Sequence, residues 1–308
     1  MFVHLRLHTE FSVVDGTTRI DEIVKAAARD GQPALAITDL NNLFGGVKFY
    51  KAARGAGVKP VIGAEVMLQG FSDETPGAMP GGPQPAPPKV ILLVQDKQGY
   101  LNLSELLARA WTRNVQRDQA LVRWEWVQEL HAGLLLLSGA QAGPVGQALL
   151  QGDTQRATDV ALQLAGVFPH RFYLELQRAG RVDDERHVVA AVQLAARLHL
   201  PVVATHPVQF LTADDYEAHE ARVCISDGEI LGNNRRVRRF TREQYFKSAA
   251  EMAALFADIP SAVANTLEIA KRCNLTLVLG KPQLPNFPIP PVDGRIKSVD
   301  AYFRPVSY

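Results

Sequence analysis

Short apolar runs recur along the chain, and each is followed by a polar residue and then by an amphipathic stretch. Runs of this length that are rich in Val, Ile and Leu are typical of buried parallel strands. The runs are Val3–Leu7, Pro33–Ile37, Lys59–Val66, Lys89–Val94, Gly133–Leu137, Arg171–Leu176 and Pro201–Ala204. The amphipathic stretches between them include Ile20–Arg29, Ser104–Trp111, Gln155–Val167 and Glu185–Leu198. Strands that alternate with helices predict an α/β fold, either a (βα) barrel or a doubly wound sheet.

Polar residues at the ends of the predicted strands favour the barrel. In parallel barrels the chemistry gathers at the carboxyl ends of the strands, where the loops form one rim. A single His or Asp after a strand is more often a helix cap or a turn residue, so the prediction depends on the whole set. The strand ends carry His8, Thr38, Asp39, Glu65, Gln95, Asp96, Ser138, Glu175 and His206. We therefore predict a distorted seven-stranded (βα) barrel with helical additions.

Two stretches interrupt the alternating pattern. Gly70–Pro88 is dense in Pro and Gly and is predicted to be a surface loop without regular structure or chemistry. Proline also recurs after Gly280, which predicts an extended connector, and Ser298–Phe303 resembles the start of a helix. We predict a barrel domain over residues 1–280 and a connector over 281–308, and we expect the chain to be a fragment of a longer protein.

Composition narrows the function classes. The 308 residues carry 33 basic and 32 acidic side chains, a formal charge of +1, whereas a domain that grips nucleic acid usually has a basic excess. The segment Asp214–Phe256, predicted to be mainly helical, contains the arginine-rich run Arg235–Arg242, which could contact phosphate but is more often a solvated loop. Two cysteines, no leader-like start and no long apolar run predict a soluble cytoplasmic protein with no membrane contact.

Three motifs carry a resemblance to a known family. His4–Gly16 (HLRLHTEFSVVDG), Ala36–Gly45 (AITDLNNLFG) and Lys59–Glu65 (KPVIGAE) resemble the opening motifs of the PHP (polymerase and histidinol phosphatase) domains. The whole chain resembles, more closely, the PHP domain at the start of the bacterial replicative DNA polymerases, the α subunits of DNA polymerase III. The segments that carry this resemblance are Val47–Tyr50, Gly99–Leu103, Phe256–Pro260 and Asn265–Ala270.

The resemblance implies a metal-dependent phosphoesterase site, but many ligand positions hold unsuitable residues. His8, Asp15 and Glu65 keep plausible ligands, and Asp39 keeps the acid of an Asp-His pair whose histidine position holds Leu40. The other family ligand positions align with Arg6, Lys89, Ala140, Pro207 and Gln209. Zn²⁺ and Mn²⁺ need three or four lone-pair donors, and charged Arg or Lys and the side chains of Leu, Ala and Pro offer none. We expect no metal and no catalytic residue here, although one weak site from His8, Glu65 and the extra His206 remains an alternative.

Two of the replacements are cationic. We hypothesise that Arg6 and Lys89 project into the pocket and take the place of the metal ions between the remaining carboxylates, with Arg6 gripping a carboxylate through its fork of donors. The alternative is that both side chains point to solvent.

The resemblance also implies a role in DNA replication. We expect a non-catalytic domain of a DNA-directed DNA polymerase, whose own Mg-dependent carboxylates lie outside this chain and which contacts DNA through the longer protein. The implied partners are the rest of the polymerase holoenzyme and the separate proofreading 3′–5′ exonuclease subunit. The alternatives are an active phosphoesterase or exonuclease and a DNA-binding module built on the arginine-rich run.

Overall fold

The computed structural model describes residues 1–70, 86–233, 235–282, 288–289, 298 and 301–303. Contacts divide the chain into two compact units, Met1–Leu275 and Thr276–Tyr308. Most of the predicted loop Gly70–Pro88 and most of the predicted connector lie outside the described residues, so the predicted boundary after residue 280 stays a prediction. No helix in the described part of the chain is long and apolar enough to cross a membrane.

The first unit contains a mixed sheet, which confirms the α/β class. In order along the sheet the strands are β4-β5-β2-β3-β6-β7-β8, with β1 paired to β2. The strands are β1 (Ala34–Ile37), β2 (Lys59–Gln69), β3 (Lys89–Val94), β4 (Val115–Gln116), β5 (Gln119–Arg123), β6 (Leu134–Leu137), β7 (Phe172–Leu176) and β8 (Val202–Ala204). All but the β4–β5 pair lie on predicted apolar runs; that pair is a hairpin that the sequence pattern did not indicate.

The first predicted strand, Val3–Leu7, is not a regular strand. It forms isolated parallel bridges, from His4 to Leu35 in β1 and from Leu7 to Val208, which follows β8. The amide of Ala36 donates to the His4 carbonyl and the amide of His8 to the Val208 carbonyl. The segment therefore lies between the two ends of the run of strands β1 to β8. Closure into a barrel stays a prediction, which these bridges support.

Strand β3 departs from the predicted parallel arrangement. It is antiparallel both to β2 and to β6. Parallel neighbours need a crossover that returns the chain to the same edge, usually through a helix, whereas antiparallel neighbours do not. Lys89 at the start of β3 therefore pairs with Met67 near the end of β2, whereas Asp96 lies beyond the other end and caps a helix by accepting from the Gly99 amide. The expectation that Gln95 and Asp96 join one polar rim is wrong for this reason.

Helices cover the sheet and follow the predicted amphipathic stretches closely. Helix α1 coincides with the predicted Ile20–Arg29 and buries Ile20, Ile23, Val24 and Ala27. The helices are α1 (Ile20–Arg29), α2 (Gly46–Gly55), α3 (Lys97–Arg113), α4 (Trp124–Leu130), α5 (Pro144–Leu150), α6 (Thr154–Val167), α7 (Asp184–Leu198), α8 (Tyr216–Asp227), α9 (Ala249–Leu255) and α10 (Pro260–Arg272).

The predicted helical region Asp214–Phe256 is helical only at its two ends. Helix α8 stops at Gly228, whose left-handed φ of 68° suits glycine and ends the helix. The described residues between α8 and α9 form turns and extended backbone, and Tyr245 bridges to Phe210. The amide of Gln209 donates to the Gln244 carbonyl, so this segment packs along the chain that follows β8.

Candidate functional site

Arg6 lies between two buried carboxylates. Its Nη2 donates to Glu65 Oε1, and its Nη1 donates to Glu175 Oε1 at 3.3 Å. The Arg6 side chain is 9% exposed, and the two glutamates are 1% and 0% exposed. Two buried carboxylates without a cation would repel each other at a high cost in free energy, so the guanidinium is the group that makes their proximity possible.

His8 lies between two carboxylates as well. Its Nδ1 is 2.9 Å from Asp15 Oδ1, and its Nε2 is 3.1 Å from Glu65 Oε2. Asp15 also accepts from Ser12 Oγ at 2.7 Å. Residues 6 and 8 point the same way because neighbours two apart share one face of an extended segment. Glu65 is therefore the shared partner of Arg6 and His8.

The electrostatics of this cluster favour the charged forms of its members. Burial by itself would lower the pKa of His8, but the charge of Asp15 and the neighbouring Glu65 raise it to about 9. Burial would raise the pKa of Asp15, but the charge and hydrogen bond of His8 lower it to about 2. Burial opposes ionisation of Glu65 too, yet Arg6, Lys89 and His8 hold its pKa well below the ordinary value. At neutral pH the cluster is a set of ion pairs.

Lys89 is the outermost cation of the cluster. Its Nζ lies 3.7 Å from Glu65 Oε2, and its side chain is 27% exposed. The backbone of Lys89 is held from the other side by Gly139, which has a φ of 81° and approaches so closely that a Cβ there would lie 1.8 Å from the Lys89 carbonyl oxygen. The Ser138-Gly139 turn thus positions the start of β3 at this edge of the sheet.

Glu175 is a central member of the cluster, which the strand-end pattern predicted on the rim but the family resemblance did not include among the ligand positions. It is fully buried in β7, and its carboxylate accepts from Arg6, Gln177, Thr205 and the amide of Gly139. The sequence did contain a signal, because Glu175 is a lone acid within the apolar strand Phe172–Leu176. A buried acid in such a strand needs a cation or several donors, and this one has both.

Asp39 lies beside the cluster but is held by another partner. Its two oxygens accept from the Thr9 amide at 2.6 Å and from Thr9 Oγ1 at 2.8 Å. Burial raises the pKa of Asp39 to about 6, although the bonds from Thr9 oppose this. Leu40, next to it, bridges to Glu65 through the backbone, and its amide donates to Ser12 Oγ. The predicted grouping of Asp15, Asp39 and Glu65 therefore consists of two carboxylates that share His8 and a third that is bound to Thr9.

The remaining sequence-predicted residues divide between the pocket and its surroundings. Gln209 Nε2 is 3.3 Å from His8 Nδ1, and the Pro207 carbonyl accepts from Gln244. Ala140 is buried at the start of a short 3-10 turn. His206 is directed elsewhere, because its Nε2 donates to the Glu243 carbonyl at 2.7 Å. Burial lowers the pKa of His206 to about 3.

A cavity of about 860 Å³ opens above the cluster. Seven of the site residues expected from the sequence line it, namely Arg6, Asp15, Leu40, Glu65, Lys89, Pro207 and Gln209. Apolar side chains form much of the wall, among them Val13, Val14, Phe44, Met67, Trp111 and Phe240. The structure thus joins most of the sequence-predicted residues into one concave surface.

The donor set of this pocket does not fit the metal ions that the family resemblance implies. The carboxylate of Glu65 already faces Arg6, His8 and Lys89, so a divalent cation there would meet three positive charges. Both ring nitrogens of His8 face carboxylates, and its raised pKa removes the lone pair that a metal would need. Within the described ranges, no three His, Cys, Asp or Glu side chains are grouped so as to hold a metal ion.

Comparisons with known proteins agree with the resemblance of the sequence motifs. The chain is 46% identical over 307 residues to the DNA polymerase III subunit alpha of Pseudomonas aeruginosa and 44% identical over 289 residues to that of Escherichia coli K12. These alignments cover 100% and 93% of the chain but only 25% and 24% of the relatives, so the chain spans about a quarter of their length. A solved amidohydrolase structure from Chromobacterium violaceum, with bound sulfate and no metal, matches with a TM-score of 0.48 and 14% identity, covering 72% of this chain and 97% of that one.

The family model described as "PHP domain" matches residues 4–179, which include Arg6, His8, Asp15, Glu65, Lys89 and Glu175. The chain belongs to the PHP domain family.

Proposed function

We propose that this chain is the N-terminal PHP domain of a replicative DNA-directed DNA polymerase, and that it serves as a metal-free scaffold that docks the proofreading exonuclease subunit. Support for the polymerase context is the similarity to DNA polymerase III subunit alpha over the full length of the chain. Support for the scaffold role is that side-chain cations face the acids of the pocket, which are therefore not open carboxylates. The chemistry of the polymerase, with its Mg ions and its DNA, belongs in this proposal to the part of the protein outside this chain.

The observation that carries the scaffold role is the contact of Arg6 with both Glu65 and Glu175. A guanidinium is a permanent cation with fixed donor directions, and it joins two carboxylates that would otherwise need a metal ion. Engaged with both glutamates, it cannot bind a water molecule and lower its pKa as a metal ion does. The ion pairs therefore contribute stability and leave the pocket without the means for hydrolysis.

The active phosphoesterase alternative is disfavoured by the same contacts, because a metal would have to displace Arg6. The weak site from His8, Glu65 and His206 is disfavoured because the Nε2 of His206 is bound to the Glu243 carbonyl. Elemental analysis of the purified chain tests the proposal directly. We expect less than one equivalent of Zn, Mn or Fe per chain, and two or more equivalents would overturn the scaffold role.

The DNA-binding alternative is disfavoured by the pairing of the arginine-rich run. Arg236 is paired with Glu220, Arg239 is paired with Asp227, and the Arg242 guanidinium lies 5.9 Å from the Tyr216 ring centroid. Arginines that already hold acids have less charge to offer to phosphates. DNA binding measured across salt concentrations would distinguish the two, since phosphate contacts give a steep dependence on salt.

Docking is tested by mixing the chain with the exonuclease subunit of the same organism and analysing the mixture by size exclusion. We expect co-elution at micromolar concentration, both for this chain and for the full polymerase. A polymerase that lacks this chain is the matched control and should elute apart from the exonuclease. Separate elution of chain and exonuclease would count against docking but would leave the metal-free pocket standing.

A further inference from the structure

The cavity above the charge cluster has a second property, which is that one of its cations lacks a hydrogen bond. Arg6 and His8 are each in close contact with carboxylates, but Lys89 comes no nearer to an acid than the 3.7 Å to Glu65. Within the described residues no hydrogen bond is formed by its ammonium group. An ammonium has three donors and no acceptor, and this one is partly open to the cavity. It can reach a ligand without giving up a hydrogen bond.

The charges limit the kind of ligand. Arg6 is shared by Glu65 and Glu175. The other two arginines that line the cavity are paired as well, Arg181 with Asp184 and Arg239 with Asp227. A divalent cation would be repelled by Arg6 and Lys89, and a dianion such as a phosphate monoester would carry one negative charge more than the ammonium of Lys89 can match. A single carboxylate matches the charge of Lys89.

The side chains that line the cavity indicate that the remainder of the ligand is apolar. Leu40, Met67 and Phe240 line the cavity, and the mouth exposes Phe44 by 69% and Trp111 by 48%. Large aromatic side chains left open beside a cavity of about 860 Å³ are typical of a site for an apolar ligand with a few polar contacts. The cavity has the volume of common small-ligand sites, which range from about 300 to 1,000 Å³.

We propose that this pocket binds an apolar body that carries one carboxylate, with the carboxylate on Lys89 and the apolar part against Leu40, Phe44 and Trp111. This chemistry is shared by a medium-chain fatty acid and by the free C-terminal apolar residue of a peptide. The inference rests on the metal-free pocket proposed above, and elemental analysis tests that part separately.

Titration calorimetry on the chain at neutral pH, with decanoate as one probe and the peptide Gly-Ser-Gly-Leu-Phe with a free C-terminus as the other, tests the site. We expect one of the two to bind with a stoichiometry of one. Its neutral counterpart, decanamide or the C-terminally amidated peptide, should bind at least about tenfold more weakly. Binding by decanoate alone identifies a small acid, and binding by the peptide alone identifies a chain terminus. Metal-free protein that binds neither probe at about 1 mM would overturn the inference and leave the scaffold role intact.

Variants locate the site. Lys89→Met keeps the apolar stem and removes the charge, so we expect at least about tenfold weaker binding, whereas Lys89→Arg should keep most of it. Lys51→Met, on the exposed face of α2, is the matched control and should bind as the parent does. Phe44→Ala, at an exposed position, should weaken binding without affecting the fold. Binding that is unchanged in both Lys89→Met and Phe44→Ala would place the ligand elsewhere and refute the site.

Discussion

His4 and His8 lie on the same short segment, both are fully buried, and their pKa values are displaced in opposite directions. Burial lowers the pKa of His4 to about 4, although the Lys247 carbonyl, which accepts from its Nε2 at 2.7 Å, and the charges of Asp30 and Glu251 oppose this. Burial acts on His8 as well, but Asp15 and Glu65 raise its pKa to about 9. The same residue type is therefore neutral at one position of the segment and charged four residues later.

The comparison shows that this fold uses two kinds of buried polar contact. On the pocket side, ion pairs join Arg6 and His8 to carboxylates. Away from the cluster, His4 and His206 remain neutral and donate to the carbonyls of Lys247 and Glu243. Charged pairs are costly to break because one partner is left buried and unpaired, whereas a neutral hydrogen bond is worth about 1 kcal/mol.

Removing the central cation should have the largest effect. Arg6→Ala leaves Glu65 and Glu175 buried without their shared partner, and we expect a loss of about 3–5 kcal/mol in the free energy of unfolding, measured in urea at pH 7. Arg54→Ala, on the exposed surface of α2, should change stability by less than about 0.5 kcal/mol. A loss for Arg6→Ala as small as that of the control would mean that the ion pairs do not hold the pocket together.

Because His8 is charged in the folded chain, the free energy of unfolding should fall at alkaline pH. Because the pKa of His8 is raised from 6.5 to about 9 in the folded chain, its contribution is complete below pH 6.5 and is lost as pH rises toward about 9. The free energies of unfolding of the parent and of His8→Gln should therefore approach each other as the pH rises from 6.5 to about 9. Curves that stay parallel between pH 6.5 and 9 would show that His8 is not charged in the fold.

The neutral histidines should make stability depend on pH on the acidic side, with the opposite sign. The pKa of His206 is lowered from 6.5 to about 3, so its contribution is complete above pH 6.5 and is lost as pH falls toward about 3. Asp39, whose pKa is raised to about 6, makes the fold more stable as the pH falls below that value. This effect is the same in the parent and in His206→Gln, so it cancels when the two are compared. The free energy of unfolding of the parent should thus fall more steeply than that of His206→Gln between pH 6.5 and about 4. Equal slopes would contradict the neutral assignment.

Lys89 should have the smallest effect on stability. It is 27% exposed and 3.7 Å from Glu65, so the pair resembles a surface ion pair and Lys89→Met should cost less than about 1 kcal/mol in urea unfolding at pH 7. A loss in the free energy of unfolding as large as that of Arg6→Ala would mean that Lys89 is held in a buried ion pair.

Much of the fold follows from local sequence. Helix α1 begins and ends where the pattern predicts, because its apolar face and polar face are both encoded in Ile20–Arg29. The direction of β3 was not predictable from its own residues, since an apolar run looks the same in parallel and antiparallel sheets. Glu175 was predicted on the rim of the barrel, but its contact with Arg6 was not predictable for a related reason, because the two residues are 169 apart in sequence.

The sequence by itself determined the α/β class and the PHP motifs, because these depend on residue type and spacing. Only the tertiary structure decided that Arg6 contacts Glu65 and Glu175, that His8 is charged while His4 is neutral, and that His206 faces away from the cluster. The physical reason is that pKa values and ion pairs are set by the few atoms nearest in space, and chain segments far apart in sequence bring those atoms together.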